Sequence, residues 1–196
     1  RGCREESGGE SQSVTPTYAA LRLFVDNWRW QGVPFYLRSG KAMAEKVSEI
    51  VIQFKRPPHL LFYADTDKEI SPNTLAMRLQ PDEGLHLNFQ VKVPDEGMTM
   101  SPMAMEFHYD SAFSDQDIPE AYQRLLQDAL DGDASLFIRS DQIEEAWRIV
   151  DPLLQAWEDP AAPAMEVYEP GSWGPKAADD LLAQDGRQWL QVRGVH

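Results

Sequence analysis

Residues 85–93 read LHLNFQVKV, in which Leu85, Leu87, Phe89, Val91 and Val93 alternate with His86, Asn88, Gln90 and Lys92. A period of two sends successive side chains to opposite sides of an extended strand, so one face is apolar and the other polar. This is how an antiparallel sheet reads when one face lies on a core. The alternation recurs on both sides of this stretch. Ile50, Ile52 and Phe54 alternate with Glu49, Val51 and Gln53, and Leu75, Met77 and Leu79 with Ala76, Arg78 and Gln80. Met103, Met105, Phe107 and Tyr109 repeat it after Pro102.

Helical patterns flank these strands. Thr15-Pro16 offers a hydroxyl N-cap and a proline at the first helical position. Ala19, Leu23 and Trp30 continue one face, which Leu21, Phe24, Val25 and Trp28 widen until Gly32 and Pro34 end it. Pro119 opens a second helix with Tyr122, Leu125, Leu126 and Ala129 turned inward and Gly132 at its end. Ser140 caps a third, carrying Ile143, Trp147, Val150, Leu154 and Trp157 on one side, which Pro152 bends or ends early. A last helix runs from Gly174-Pro175 to near Gly186. With no β-α-β alternation, the expected fold is α+β: a large, mainly antiparallel sheet with flanking helices. Residues 1–14, rich in Glu, Ser and Gly, read as an exposed linker, and 15–196 as one domain.

Composition narrows the function. Of 196 residues, 42% are hydrophobic, enough for a sizeable core, while the longest apolar run, residues 60–64, is far short of the ~20 that span a bilayer. A net charge of −14 repels phosphate backbones and anionic lipid, which argues against nucleic-acid and membrane partners. The single cysteine, Cys3, allows no internal disulfide and points to a reducing, cytoplasmic setting. The chain opens on Arg1-Gly2-Cys3-Arg4, with no methionine and no signal-peptide pattern, as a fragment or a trimmed chain does. Within this acidic chain lies one basic island. Residues 29–56 hold Arg29, Arg38, Lys41, Lys46, Lys55 and Arg56 against only Glu45 and Glu49. Such an island is either a lysine-protected strand edge or a pocket for a small anion.

Complete active sites are not legible. The glycines form no G-x-G-x-x-G, and Gly40-Lys41 lacks the rest of a phosphate loop. His59, His86, His108 and His196 lie far apart, without an i+4 histidine or a nearby cysteine, which argues against a zinc site. His86 and His108 occupy polar-face positions of two expected strands and could approach each other, as ordinary sheet residues do. Asp65, Asp67 and Glu69 read as a charged loop, and no serine is flanked like a nucleophile elbow.

Residues 26–41, DNWRWQGVPFYLRSGK, resemble the C-terminal domain of glucose-6-phosphate dehydrogenases. The segments AEKVSEIVIQF (44–54), NTLAMRLQP (73–81), PEAYQRLL (119–126), FIRSDQIEEAWRIVDPLL (137–154) and GSWGPKAADD (171–180) follow in that family's order. The resemblance runs from about Arg1 to Gln188. It implies an upstream Rossmann-like domain that binds NADP and carries the catalytic histidine with its Asp partner, so no catalytic residue is expected in this chain. It implies a large sheet that joins subunits into a homo-dimer or tetramer; the polar strand face through His86, Asn88, Gln90 and Lys92 is one candidate contact. From the R-x-G-K-x₄-[KR] stretch it implies that Lys41 and Lys46 hold glucose 6-phosphate, with Arg38 in a possible supporting role, orienting the loop or pairing with Glu45. Animal members carry a second, structural NADP partly on basic residues that here match Val47, Val51 and Pro72, so the resemblance is to bacterial members and no such site is expected.

Overall fold

A computed structural model of the chain describes residues 13, 15–56, 71–97, 99–113 and 121–191. Cys3, most of the linker, His59, Asp65, Asp67, Glu69, Pro119 and His196 lie outside them. The element order is β1 (Tyr18–Phe24), β2 (Pro34–Gly40), β3 (Ser48–Gln53), β4 (Thr74–Gln80), β5 (Gly84–Lys92), β6 (Met100–His108), α1 (Tyr109–Ala112), α2 (Ala121–Asp131), α3 (Ser140–Glu158) and α4 (Lys176–Ala183). Among the described residues no helix is long and apolar enough to cross a membrane. Two compact units divide the chain: described residues up to Ala44 with 121–187 form the first, and described residues from Glu45 to 113 with 188–191 the second.

In the first unit, β1 and β2 form an antiparallel pair running from Tyr18↔Gly40 to Phe24↔Pro34. The helix expected from Thr15-Pro16 is therefore a strand instead. Its Ala and Leu residues favour a helix only weakly, and the hydrogen-bond ladder to β2 outweighs that preference. The turn between the strands is set by Asn27, whose side-chain oxygen accepts the N–H groups of Arg29 and Trp30 at 3.1 and 2.9 Å. Of the two outcomes expected at Pro152, a bend or an early end, the early end does not occur: α3 continues to Glu158. One other helix expectation needs correction. The stripe on α2 is not inward: Tyr122 is 78% and Leu126 66% exposed, while Asp128 is buried with Arg124 Nε 2.9 Å away. A charge can be buried where a partner one helical turn away compensates it.

A polar anchor ties this strand pair to the turn after α4. Arg22 and Tyr36 are cross-strand partners, and both reach Asp185. Arg22 Nη1 donates to its two carboxylate oxygens at 3.0 and 2.8 Å, and the Tyr36 hydroxyl donates at 2.5 Å. The Tyr36 bond first, then the Arg22 bond, holds the Asp185 carboxyl below its ordinary value of 3.8. A carboxyl depressed in the folded state stabilises the fold above its unfolded pKa and loses that contribution as pH falls through the folded one. Asp185→Asn is thus expected to be less stable than the parent at pH 7, with the gap closing below about pH 4. Denaturant unfolding at several pH values reads this; an equal gap at pH 3 and pH 7 would count against it.

The second unit is built on a four-stranded antiparallel sheet in the order β3-β4-β5-β6. Register aligns Ile50, Met77, Leu85 and Phe107 in one row and Ile52, Leu75, Leu87 and Met105 in the next. All these apolar side chains share one face, as the period of two requires. The burial runs against expectation. On the apolar face Ile50, Leu85 and Met105 are 48, 42 and 61% exposed, whereas on the other face His86 and Ala76 are 3 and 2% exposed. Among the described residues, the most buried side chains of this sheet are thus Ala76 and His86, on the face opposite the apolar rows. β6 is the outer strand, with Pro102 opposite Gln90, and it ends at His108; Tyr109 opens α1 instead of extending it.

Candidate functional site

The basic island places Arg38 and Lys41 at the end of β2. The Lys41 N–H donates to the Thr17 carbonyl at 2.8 Å, extending the β1–β2 ladder one residue past Gly40. Gly40 is required there: a Cβ would stand 2.6 Å from Tyr18 Cδ2 and 2.9 Å from Met43 Sδ. The chain then turns sharply, with Ala42 at φ +47°, a left-handed conformation that costs energy for any residue but glycine.

A segment far away in sequence holds this turn. The Tyr168 hydroxyl donates to the Lys41 carbonyl at 2.7 Å and also lies 3.2 Å from that of Thr17. Gly171 N–H reaches the Ala42 carbonyl at 2.8 Å, and Ala44 N–H reaches Ser172 at 2.9 Å. The backbone from 41 to 44 is therefore fixed at three points, which leaves the Lys41 side chain as its freely placed part. Tyr18 packs between these elements, its ring 5.3 Å from that of Tyr168. Its hydroxyl is buried without a hydrogen-bond partner among the described residues, and burial lifts its pKa above the usual tyrosine value, with Arg38 acting in the opposite direction.

The Arg38 guanidinium lies 4.6 Å over the Trp173 ring, a cation–π contact that directs it along the same segment. Glu45, weighed as its partner from sequence, has its carboxylate 3.8 Å from Arg78 Nη2 in the second unit. Lys46 also belongs to that unit, just before β3. Lys41 and Lys46 are both exposed, and among the described residues no carboxylate pairs with either. Chemically, this is a cation on a rigid loop with no internal counter-ion, suited to a small dianion.

Sequence reasoning named Arg38, Lys41 and Lys46 as candidates; it gave no place to Tyr168, whose surroundings carry no local signal, and no task to the GSWG segment. His86 and His108 do come together, with ring centroids 5.0 Å apart. Val51 sits inside the four-stranded sheet, paired with Ala76.

Comparison with known proteins agrees with the resemblance read from sequence. The family model "Glucose-6-phosphate dehydrogenase, C-terminal domain" matches residues 1–190. The chain is 43% identical over 189 residues to a glucose-6-phosphate 1-dehydrogenase of Treponema pallidum, covering 96% of this chain and 36% of that protein. It is 45% identical over 188 residues to glucose-6-phosphate 1-dehydrogenase 2 of Mycobacterium tuberculosis, with the same coverage. The crystal structure of the Mycobacterium avium enzyme superposes with a TM-score of 0.79 at 36% identity, over 100% of this chain and 40% of that one. A glucose-6-phosphate dehydrogenase in complex with its substrate gives 0.77 at 34% identity, over 89% and 35%. The chain thus spans little more than a third of the length of these relatives. With its mainly antiparallel sheets and its RSGK loop, it belongs to the glucose-6-phosphate dehydrogenase family, as a C-terminal domain of that family.

Proposed function

We propose that the complete protein carrying this chain is a cytoplasmic, NADP-dependent glucose-6-phosphate dehydrogenase. It oxidises glucose 6-phosphate to the lactone, the first oxidative step of the pentose phosphate pathway. The observation that carries this reading is the RSGK turn, whose backbone is pinned while Lys41 points a free cation outward. A phosphate monoester carries nearly two negative charges at neutral pH, and each charge-assisted hydrogen bond to it contributes roughly 1.5–3 kcal/mol. Lys41 and Lys46 hold that group, and Arg38 on Trp173 keeps the strand end in place.

The chain's own residues do not fit NADP. Its glycines form no dinucleotide-binding turn, and the family resemblance puts the histidine base outside this chain. NADP therefore belongs to a part of the complete protein outside this chain, and this chain's task is to bind and orient the sugar phosphate. Assembly into a homo-dimer or tetramer through the sheet is part of the same reading, favoured by the exposed side chains of Met103, Met105 and Leu85.

The test is NADPH formation from glucose 6-phosphate by the product of the complete gene. Turnover supports the assignment. A folded protein that forms no NADPH overturns it and favours a non-catalytic sugar-phosphate-binding module. Light scattering on the same preparation is expected to give a multiple of the chain mass.

A further inference from the structure

The face of the four-stranded sheet that carries Ala76 and His86 brings together three metal-ligating side chains. Register pairs His86 on β5 with Glu106 on β6, and Gly84 with His108. With a period of two, His86, Glu106 and His108 all fall on one face. His86 Nδ1 lies 3.6 Å from one Glu106 oxygen and His108 Nε2 lies 3.7 Å from the other. The two rings stand edge to face at 81°, and one donor atom from each of the three residues falls within 4.8 Å of the others.

Two independent features make this more than a surface cluster. His86 is 3% exposed, and its Nδ1 has no hydrogen-bond partner among the described residues. A buried polar atom is ordinarily satisfied, and 3.6 Å to a carboxylate is too long for a hydrogen bond. Gly84, opposite His108, leaves room for that ring: a Cβ there would stand 2.5 Å from the Phe107 carbonyl oxygen and 3.4 Å from His108 Nδ1. Arg78 lies on this face too, opposite Gly84 and Glu49, and its Nη2 lies 3.8 Å from Glu45.

Two imidazoles and a carboxylate are the donor set of divalent transition metals of zinc's class. Bonds of about 2.1 Å in a tetrahedral set put neighbouring donors about 3.4 Å apart; one donor per residue here lies within 4.8 Å of the others, so the side chains close in slightly to take up one ion. We propose that His86, Glu106 and His108 bind one such ion, tying β6 to β5 and leaving a fourth position for water. The sequence alone argued against zinc because neither histidine has a partner nearby in the chain; strand register supplies it.

The test uses the complete protein without an affinity tag, stripped by a chelator and titrated with Co²⁺. One equivalent is expected to produce a visible d–d absorption band that Zn²⁺ abolishes. His108→Gln and Glu106→Gln, at the less buried positions, are each expected to weaken Co²⁺ binding at least about tenfold. Their metal-free unfolding curves should stay close to the parent's, which separates a lost ligand from a lost fold. Absence of the band, or equal affinity in the parent and both variants, overturns the proposal.

Discussion

Lys41→Ala in the complete protein is expected to raise KM for glucose 6-phosphate roughly tenfold to 100-fold, with kcat changed much less. The range follows from losing one charge-assisted hydrogen bond of roughly 1.5–3 kcal/mol, at about 1.4 kcal/mol per decade. Because Lys41 is exposed, solvent screening favours the lower end. The split between the constants follows from position: a group that grips the phosphate, remote from the reacting carbon, binds substrate and transition state alike. The mutation should leave the turn intact, since the backbone N–H and carbonyl of residue 41 make its structural bonds. Tyr168→Phe is the complementary change. It removes the hydroxyl that donates to the Lys41 carbonyl and keeps the cation, so a KM rise of only a few-fold is expected. Steady-state kinetics decides: an unchanged KM in Lys41→Ala removes that residue from the site.

Gly174→Ala is expected to be the most damaging single methyl in the first unit, costing about 2–4 kcal/mol of stability. Two effects combine. Gly174 has φ +111°, a region that side chains rarely adopt. The added Cβ would also stand within 2.7 Å of Cε2, Cζ and the hydroxyl oxygen of Tyr18. Gly40 also lies close to this ring, where a Cβ would stand 2.6 Å from Cδ2, which limits how far the ring can shift. At roughly 2–4 °C per kcal/mol for a domain of this size, the melting temperature should fall by about 5–15 °C. Gly32→Ala is the control. Its φ of +74° is also unfavourable, but open space surrounds it, so it should lose only about 1 kcal/mol. A Gly174→Ala protein no less stable than Gly32→Ala would contradict the packing argument.

The strands β3 to β6 were legible because their alternation is local, and period-two patterning needs no knowledge of the partner. β1 was not. Its YAALRLF sequence suits a helix as well as a strand, and only pairing with β2, some sixteen residues on, decides between them. At Pro152 the sequence left a bend or an early end open, and α3 runs on past it to Glu158. In the site, Lys41 was legible through its motif, but its support was not. Tyr168 lies 127 residues further along the chain, and no periodicity links the two. Glu106 escaped notice because its relation to His86 exists only once register is set. The burial of Ala76 and His86 on the other face was also not foreseen, for alternation alone does not say which positions of a face are buried.

Pro102 gives the outer strand one further property. Among the described residues β6 ends the sheet, so its far side presents main-chain groups that a passing extended peptide could join. Proline has no N–H to offer, and at the third position of this strand it leaves the row one donor short. A crowded or partly unfolded population of this protein would therefore find no continuous template along that strand for end-to-end stacking into fibrils.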